Sequence, residues 1–294
     1  MKKLIFKICY LPLILFSLLP LKILYFFSDL TFFLIFHVFK YRKKIVLKNL
    51  KNSFPHKSNE EIKNITKSFY KNFCDLFFES IKALTISKKE ITRRYKFVNN
   101  EILNELYMKN KSGFVVTGHL GNWEWFNSIC IYLKHKPLAI YLPLNNKFFD
   151  TLFKNIRERF GATAVPIHSL YKTLLKFNEL NIPTFSYILA DQRPHKDIIR
   201  YWITFLNQDT PVFTGFEKLA KKFGFAVVFS KTYKIKRGYY ITEFELLTEN
   251  ASEFKDFELT NIFFKKLEEA IIKYPECYLW THNRWKYKKE DFTK

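Results

Sequence analysis

Phe114-Val115-Val116 is a short, wholly apolar run that stops abruptly at Thr117-Gly118-His119-Leu120-Gly121-Asn122-Trp123-Glu124-Trp125. The run reads as a buried strand, and the aromatic-rich residues 122–133 that follow read as a helix. His119 then falls where a strand hands over to a helix, at the carboxyl edge where open α/β sheets place their ligands. Asn122 reads as an N-cap, which puts Glu124 in the first helical turn. A carboxylate there is favoured in its charged form by the helix dipole, and it lies close enough in sequence to hydrogen-bond the imidazole.

Histidine takes up a proton near neutrality, and an ionised carboxylate beside it fixes its tautomer and stabilises the imidazolium. His119 and Glu124 are therefore the candidate catalytic pair, a general base and the acid that orients it. Gly118 and Gly121 keep the surrounding backbone open for close approach. With only seven glycines in the chain, two within four residues are local information. The other reading is a capped helix with a structural histidine.

Of the 294 residues, 48% are hydrophobic and 34 are Phe, enough for one large α/β domain plus an appendage. The 49 Lys and Arg outnumber 27 acids, giving a net charge of +22 and an affinity for acidic partners: anionic membrane, nucleic acid or an acidic protein. No nucleic-acid-binding motif accompanies the charge, and the basic residues are spread along the chain. Cys9, Cys74, Cys130 and Cys277 have no Cys-x2-Cys spacing, so neither a disulfide framework nor a zinc site is expected, and His119 lacks a second His at helical spacing.

Residues 1–39 form an N-terminal hydrophobic anchor, interrupted by Lys7, Lys22, Asp29, Pro12 and Pro20. One kinked transmembrane helix and a shallow hairpin in one leaflet both fit it. A cleaved signal peptide fits less well, for no small-x-small site follows. Beyond the anchor, Lys40-Tyr41-Arg42-Lys43-Lys44, Lys48 and Lys51 outweigh the two lysines that precede it. The positive-inside rule then keeps the remainder, residues 40–294, on the cytoplasmic side of the membrane.

Within that remainder, residues 41–53 and 59–86 read as amphipathic helices, the second capped by Ser58 or Asn59. Residues 138–142, 185–190, 226–233 and 239–246 read as strands, the last of these antiparallel by its alternation, and 259–273 as a helix. Asp191-Gln192-Arg193-Pro194 follows the 185–190 strand directly, so its polar side chains point into the same crevice as His119. Asp191 orders the site there, by pairing with a cation or by orienting a substrate, or else it is a plain turn cap.

Gly118-His119-Leu120-Gly121-Asn122-Trp123-Glu124 resembles the His-x4-acid signature of bacterial lipid acyltransferases, and most of all the lipid A biosynthesis lauroyl/myristoyl acyltransferase family, relatives of the glycerolipid acyltransferases. Asn49-Leu50, Phe54-Pro55, Glu61, Glu79, the Asp191-Gln192-Arg193-Pro194 turn, Phe205-Leu206-Asn207-Gln208-Asp209-Thr210, Gly215-Phe216-Glu217-Lys218-Leu219-Ala220 and Trp280-Thr281-His282-Asn283-Arg284-Trp285-Lys286 extend the resemblance, in family order, over residues 40–288. It implies a glycerolipid-acyltransferase-like α/β fold, a mixed sheet flanked by helices. It also implies transfer of a fatty acyl chain, without a cofactor, from acyl carrier protein or acyl-CoA to a hydroxyl or amine of a membrane lipid such as a lipid A precursor or lysolipid. Arg157, ahead of Gly161, matches a basic residue on the acyl-donor side; its other reading is a solvated helix-end cation. Gly121, Asn122, Arg157, Asp191, Gln192 and Arg193 are the substrate-binding candidates. In some family members an Arg stands inside the tyrosine-x-proline turn where this chain has Leu142, which sets a lipid A precursor in question as acceptor. A non-catalytic membrane protein binding lipid or nucleic acid is the alternative.

Overall fold

The computed structural model describes residues 2–292. Helices α1 (Lys2–Leu18) and α2 (Leu21–Phe33) are separated at Leu19-Pro20, and α2 continues into a π-helical turn, Leu34–Val38. Three helices follow: α3 (Lys43–Ser53), α4 (Asn59–Lys82) and α5 (Lys88–Arg94). Then come β1 (Tyr95–Val98), α6 (Glu101–Met108), β2 (Gly113–Thr117), β3 (Lys136–Tyr141) and α7 (Lys147–Glu158). The chain continues through β4 (Thr163–Pro166), α8 (Leu170–Glu179), β5 (Thr184–Leu189) and a small hairpin, β6 (Trp202–Phe205) and β7 (Gln208–Pro211). It closes with α9 (Gly215–Phe223), β8 (Ala226–Lys236), β9 (Tyr239–Thr248) and α10 (Glu258–Lys273).

Seven strands form one sheet in the order β1-β9-β8-β2-β5-β3-β4. Every neighbouring pair is parallel except β8 and β9, as the alternation in 239–246 requires. β2 is central and buried along its whole length. Its side chains alternate between two cores: Phe114 and Val116 face a layer that includes α8, α9 and α10, while Val115 faces one that includes α1, α6 and α7. A sheet covered on both faces needs strands apolar on both faces, hence the unbroken Phe-Val-Val run.

α4 begins with a capping box: Ser58 Oγ accepts from the Glu61 backbone N–H at 3.2 Å, and Glu61 Oε2 accepts from the Ser58 N–H at 2.8 Å. Ser58→Ala is expected to cost about 1 kcal/mol in urea denaturation. An unchanged midpoint would mean that the helix start is held by packing alone.

Sequence periodicity places the helix after His119 as an α-helix from Asn122; the structure corrects this. The segment Trp125–Ile131 is a 3-10 helix preceded by a turn, and Glu124 occupies its N-cap position. Gly121 reverses the chain with φ +65°, and a Cβ there would meet Thr232 Cγ2 at 2.7 Å and the Thr232 carbonyl at 2.9 Å. Only glycine tolerates both the left-handed backbone and that approach.

Candidate active site

Parallel pairing aligns Thr117 at the end of β2 with Leu189 at the end of β5. Two residues beyond each strand lie His119 and Asp191, so the register sets them side by side at the carboxyl edge of the sheet. His119 Nδ1 is 2.7 Å from Asp191 Oδ1. Burial opposes the charge on Asp191, but the His119 charge, its hydrogen bonds and the Arg284 guanidinium outweigh burial and hold this carboxyl below its usual range. An ionised carboxylate can only accept, so Nδ1 carries a proton, and in the neutral imidazole Nε2 presents its lone pair. The Gln192 amide nitrogen lies 3.1 Å from that Nε2, and the Trp123 ring packs edge-on to the imidazole at 5.0 Å.

His119 stands at the head of a cleft of about 1220 Å³, open mouth included, whose walls are largely apolar. Ile140, Tyr141 and Leu142 from the end of β3, Phe153 of α7, and Tyr187 and Leu189 of β5 supply much of that lining. Glu124 and Arg157 face the same cleft and pair with each other, Arg157 Nη2 donating to Glu124 Oε1 at 3.1 Å. The Arg157 guanidinium lies 5.6 Å from the centroid of the Tyr141 ring. Glu124 is buried, and its second oxygen, Oε2, has no hydrogen-bond partner. An unpaired buried acceptor on a cleft wall suits a ligand that brings a donor.

The acid that touches His119 is therefore Asp191, and the local His119–Glu124 hydrogen bond drawn from sequence does not form. The extra turn ahead of the 3-10 helix carries Glu124 toward α7 instead. Gly121 and Asn122 do not line the cleft either. The Gly121 N–H donates to the Cys277 carbonyl at 2.9 Å, so it is not available to an oxyanion. Asn122 is buried, its Oδ1 accepting from the Trp125 N–H at 2.9 Å and its amide donating to Glu79 Oε2 at 2.7 Å. Gln192 is on the cleft wall, whereas Arg193 donates to the Asn283 carbonyl at 2.7 Å and lies over Tyr287.

The terminal Trp280–Lys286 segment closes the fold. Asn49 donates to the Trp280 and His282 carbonyls, both at 3.0 Å, and Trp280 Nε1 donates to the Pro275 carbonyl. Burial pushes His282 down to about 4, and its Nε2 accepts from the Arg193 N–H, so it offers no second base.

Sequence reasoning missed Glu79 as a structural centre of the site. This fully buried carboxylate of α4 accepts from Tyr25 of α2 at 2.8 Å, from Tyr240 of β9 at 2.7 Å and from Asn122. An acid on the apolar face of an amphipathic helix was the available signal. Among the described residues no group of three His, Cys, Asp or Glu side chains converges to hold a metal ion.

Comparison with known proteins gives one whole-chain result: the family model described as bacterial lipid A biosynthesis acyltransferase matches residues 3–287. No curated protein sequence matches the chain.

Proposed function

The chain belongs to the bacterial lipid A biosynthesis acyltransferase family, and from that premise we propose that His119 is the general base of a thioester-to-lipid acyl transfer at the inner membrane, with the catalytic domain on the cytoplasmic side. Acyl transfer to lipid follows from the family; the donor, the residues and the membrane setting are our reading. The donor is acyl carrier protein or acyl-CoA, and the acceptor is a hydroxyl or amine of a membrane lipid. The observation that carries this reading is the 2.7 Å His119–Asp191 pair at the head of an apolar cleft.

In this mechanism the acceptor O–H or N–H gives its proton to His119 Nε2 as its oxygen or nitrogen attacks the thioester carbonyl carbon. Asp191 holds the Nδ1 proton in place and stabilises the imidazolium. As the tetrahedral intermediate collapses the C–S bond breaks, and the imidazolium returns the proton to the leaving thiolate. Gln192, whose amide nitrogen lies beside Nε2, is a side-chain donor for the oxyanion, and Arg157 supplies a cation on the wall. Glu124 Oε2 accepts from a second O–H or N–H of the acceptor, one that does not react. This exchanges the roles that spacing alone suggests for Asp191 and Glu124. Leu142 at the mouth, 74% exposed, favours an acceptor whose contact there is apolar.

The test is an acylation assay on the full chain with a radiolabelled acyl group on acyl carrier protein and, separately, on coenzyme A. Total membrane lipid is supplied as acceptor and products are identified by mass spectrometry. A labelled lipid is the expected product with at least one donor. Label that appears only as free fatty acid, at a rate indifferent to added lipid, would overturn the reading.

A further inference from the structure

α2 carries two faces with different fates. Tyr25 donates to Glu79 at 2.8 Å, Ser28 donates to Asp75 at 2.7 Å, and Asp29 accepts from Arg237 at 2.7 Å. Further along, Phe36 packs on Tyr70 with ring centroids 5.3 Å apart. At the other end, Lys82 Nζ donates to the carbonyls of Ser17 and Leu19 where α1 gives way to α2. As residue numbers rise along α2 they fall along α4, so the two helices lie antiparallel and in contact over the whole of residues 21–36. The opposite face of α2 is apolar and open: Phe26 is 66% exposed and Phe33 54%.

Residues Leu21–Val38 are long and apolar enough to cross a bilayer, about 27 Å at 1.5 Å per residue. The geometry opposes a crossing. Tilting α2 through the hydrocarbon would drag residues 70–82 of α4 with it, and these include Lys71, Asp75, Glu79 and Lys82. Charged groups at that depth are costly, and here they are already committed to the domain.

α1 extends the same surface to the cleft. Its Tyr10 and Phe16 share a core with Leu152 and Ile156 of α7, and Asn155 of α7 donates to the Tyr10 hydroxyl at 3.2 Å. The outer face of α1 exposes Leu11, Leu15 and Leu18, the cleft mouth exposes Leu142 and Leu144, and the start of α7 exposes Phe149. Exposed Lys22 stands at the start of α2, and exposed Lys40, Arg42 and Lys44 follow its π-helical turn, as suits an anionic headgroup layer. We propose that the chain rests on one leaflet of an anionic bilayer, with α1 and α2 in the membrane plane and residues 142–149, from the end of β3 into the start of α7, dipping into it, so that the cleft opens directly onto lipid. This placement rests on the membrane-bound acyltransferase reading and adds to it the route by which a lipid acceptor arrives. What keeps α1 and α2 from spanning is their packing on α4, while their open apolar faces supply the contact with the leaflet.

A depth profile tests it. Full-length chains carrying Leu15→Cys, Phe26→Cys, Phe33→Cys, Leu144→Cys or Met108→Cys are labelled with an environment-sensitive maleimide, the unsubstituted chain giving the background from native cysteines. Each is bound to phosphatidylethanolamine–phosphatidylglycerol vesicles whose lipids carry a nitroxide near the headgroup or near the acyl-chain end. Met108, exposed at the end of α6 and just ahead of the amino end of β2, is the control. The expected result is a loss of fluorescence at 15, 26, 33 and 144, each greater with the shallow nitroxide, and no loss at 108. A gradient of depth along 15–33 that reaches the bilayer centre, or a label at 144 as unquenched as that at 108, overturns the placement alone. Failure of the chain to bind vesicles overturns the membrane reading as well.

Discussion

Replacing His119 by alanine is expected to slow acyl transfer by about 10²- to 10⁴-fold, the range that a positioned general base contributes. Alanine also takes the imidazole from the Asp191 carboxylate, whose side chain is only 2% exposed, so some loss of stability accompanies it. His119→Gln is the cleaner variant, because its amide can still donate to Asp191. Unfolding should then shift little while the rate falls as far. Asp191→Asn makes a sharper distinction. An asparagine amide can donate toward Nδ1, which moves the imidazole proton to Nε2 and hides the lone pair that the reaction needs. A loss of about 10²-fold or more in kcat, with little change in KM for the lipid, is the expected outcome. Glu124→Gln keeps the shape of the wall and should raise KM for the acceptor more than it lowers kcat. The reverse result, collapse of kcat in the Glu124 variant and near-normal turnover in the Asp191 variant, would return the orienting role to Glu124.

The division between Asp191 and Glu124 marks how far the sequence is legible. The strand ends at Thr117 and Leu189 are readable from apolar runs meeting polar turns, and the Asp191-Gln192 pair is recognisably aimed at the crevice of His119. What decides the partner is register, and no local pattern encodes it. β2 and β5 are adjacent although two strands separate them in sequence, and their parallel alignment brings residue 191 to residue 119. The His119–Glu124 contact fails for a second reason. Its spacing presumes an α-helix from Asn122, whereas Gly121 at φ +65° and the following turn give a 3-10 start that turns Glu124 to Arg157. The N-terminal segment shows the same limit. Hydropathy detects its apolar character and Pro20 marks the break, but the pairing of Tyr25 and Ser28 with Glu79 and Asp75 depends on a helix dozens of residues away.

Glu79→Ala is expected to be the most destabilising single change near the site, about 3–5 kcal/mol, because it leaves three buried donors, from Tyr25, Tyr240 and Asn122, facing a void. Glu79→Gln separates the hydrogen bonds from the charge. Burial, with the nearby Asp75 charge, raises Glu79 to about 7, in spite of Lys234 and the tyrosine hydroxyls; in the unfolded chain a Glu titrates near ~4.3. Between those values the folded state holds a proton that the unfolded state has lost. The stabilising contribution of this group is therefore complete below pH ~4.3 and falls as pH rises, by ~1.4 kcal/mol per unit, until the folded carboxyl ionises near 7. The total swing is roughly 4 kcal/mol. A glutamine does not titrate, so the stability of wild type relative to Glu79→Gln should decline from pH 5 to pH 7 and level off above it. Urea denaturation of both proteins at pH 5, 6, 7 and 8 measures the difference directly. A gap that stays constant across that range would mean that Glu79 is ionised throughout, its charge met by the hydroxyls and Lys234. The same series read by activity has its own expectation. Asn122 hangs on Glu79 and caps the turn that carries Glu124, so Glu79→Gln should impair turnover at pH 8 although its stability relative to wild type is greater there than at pH 5.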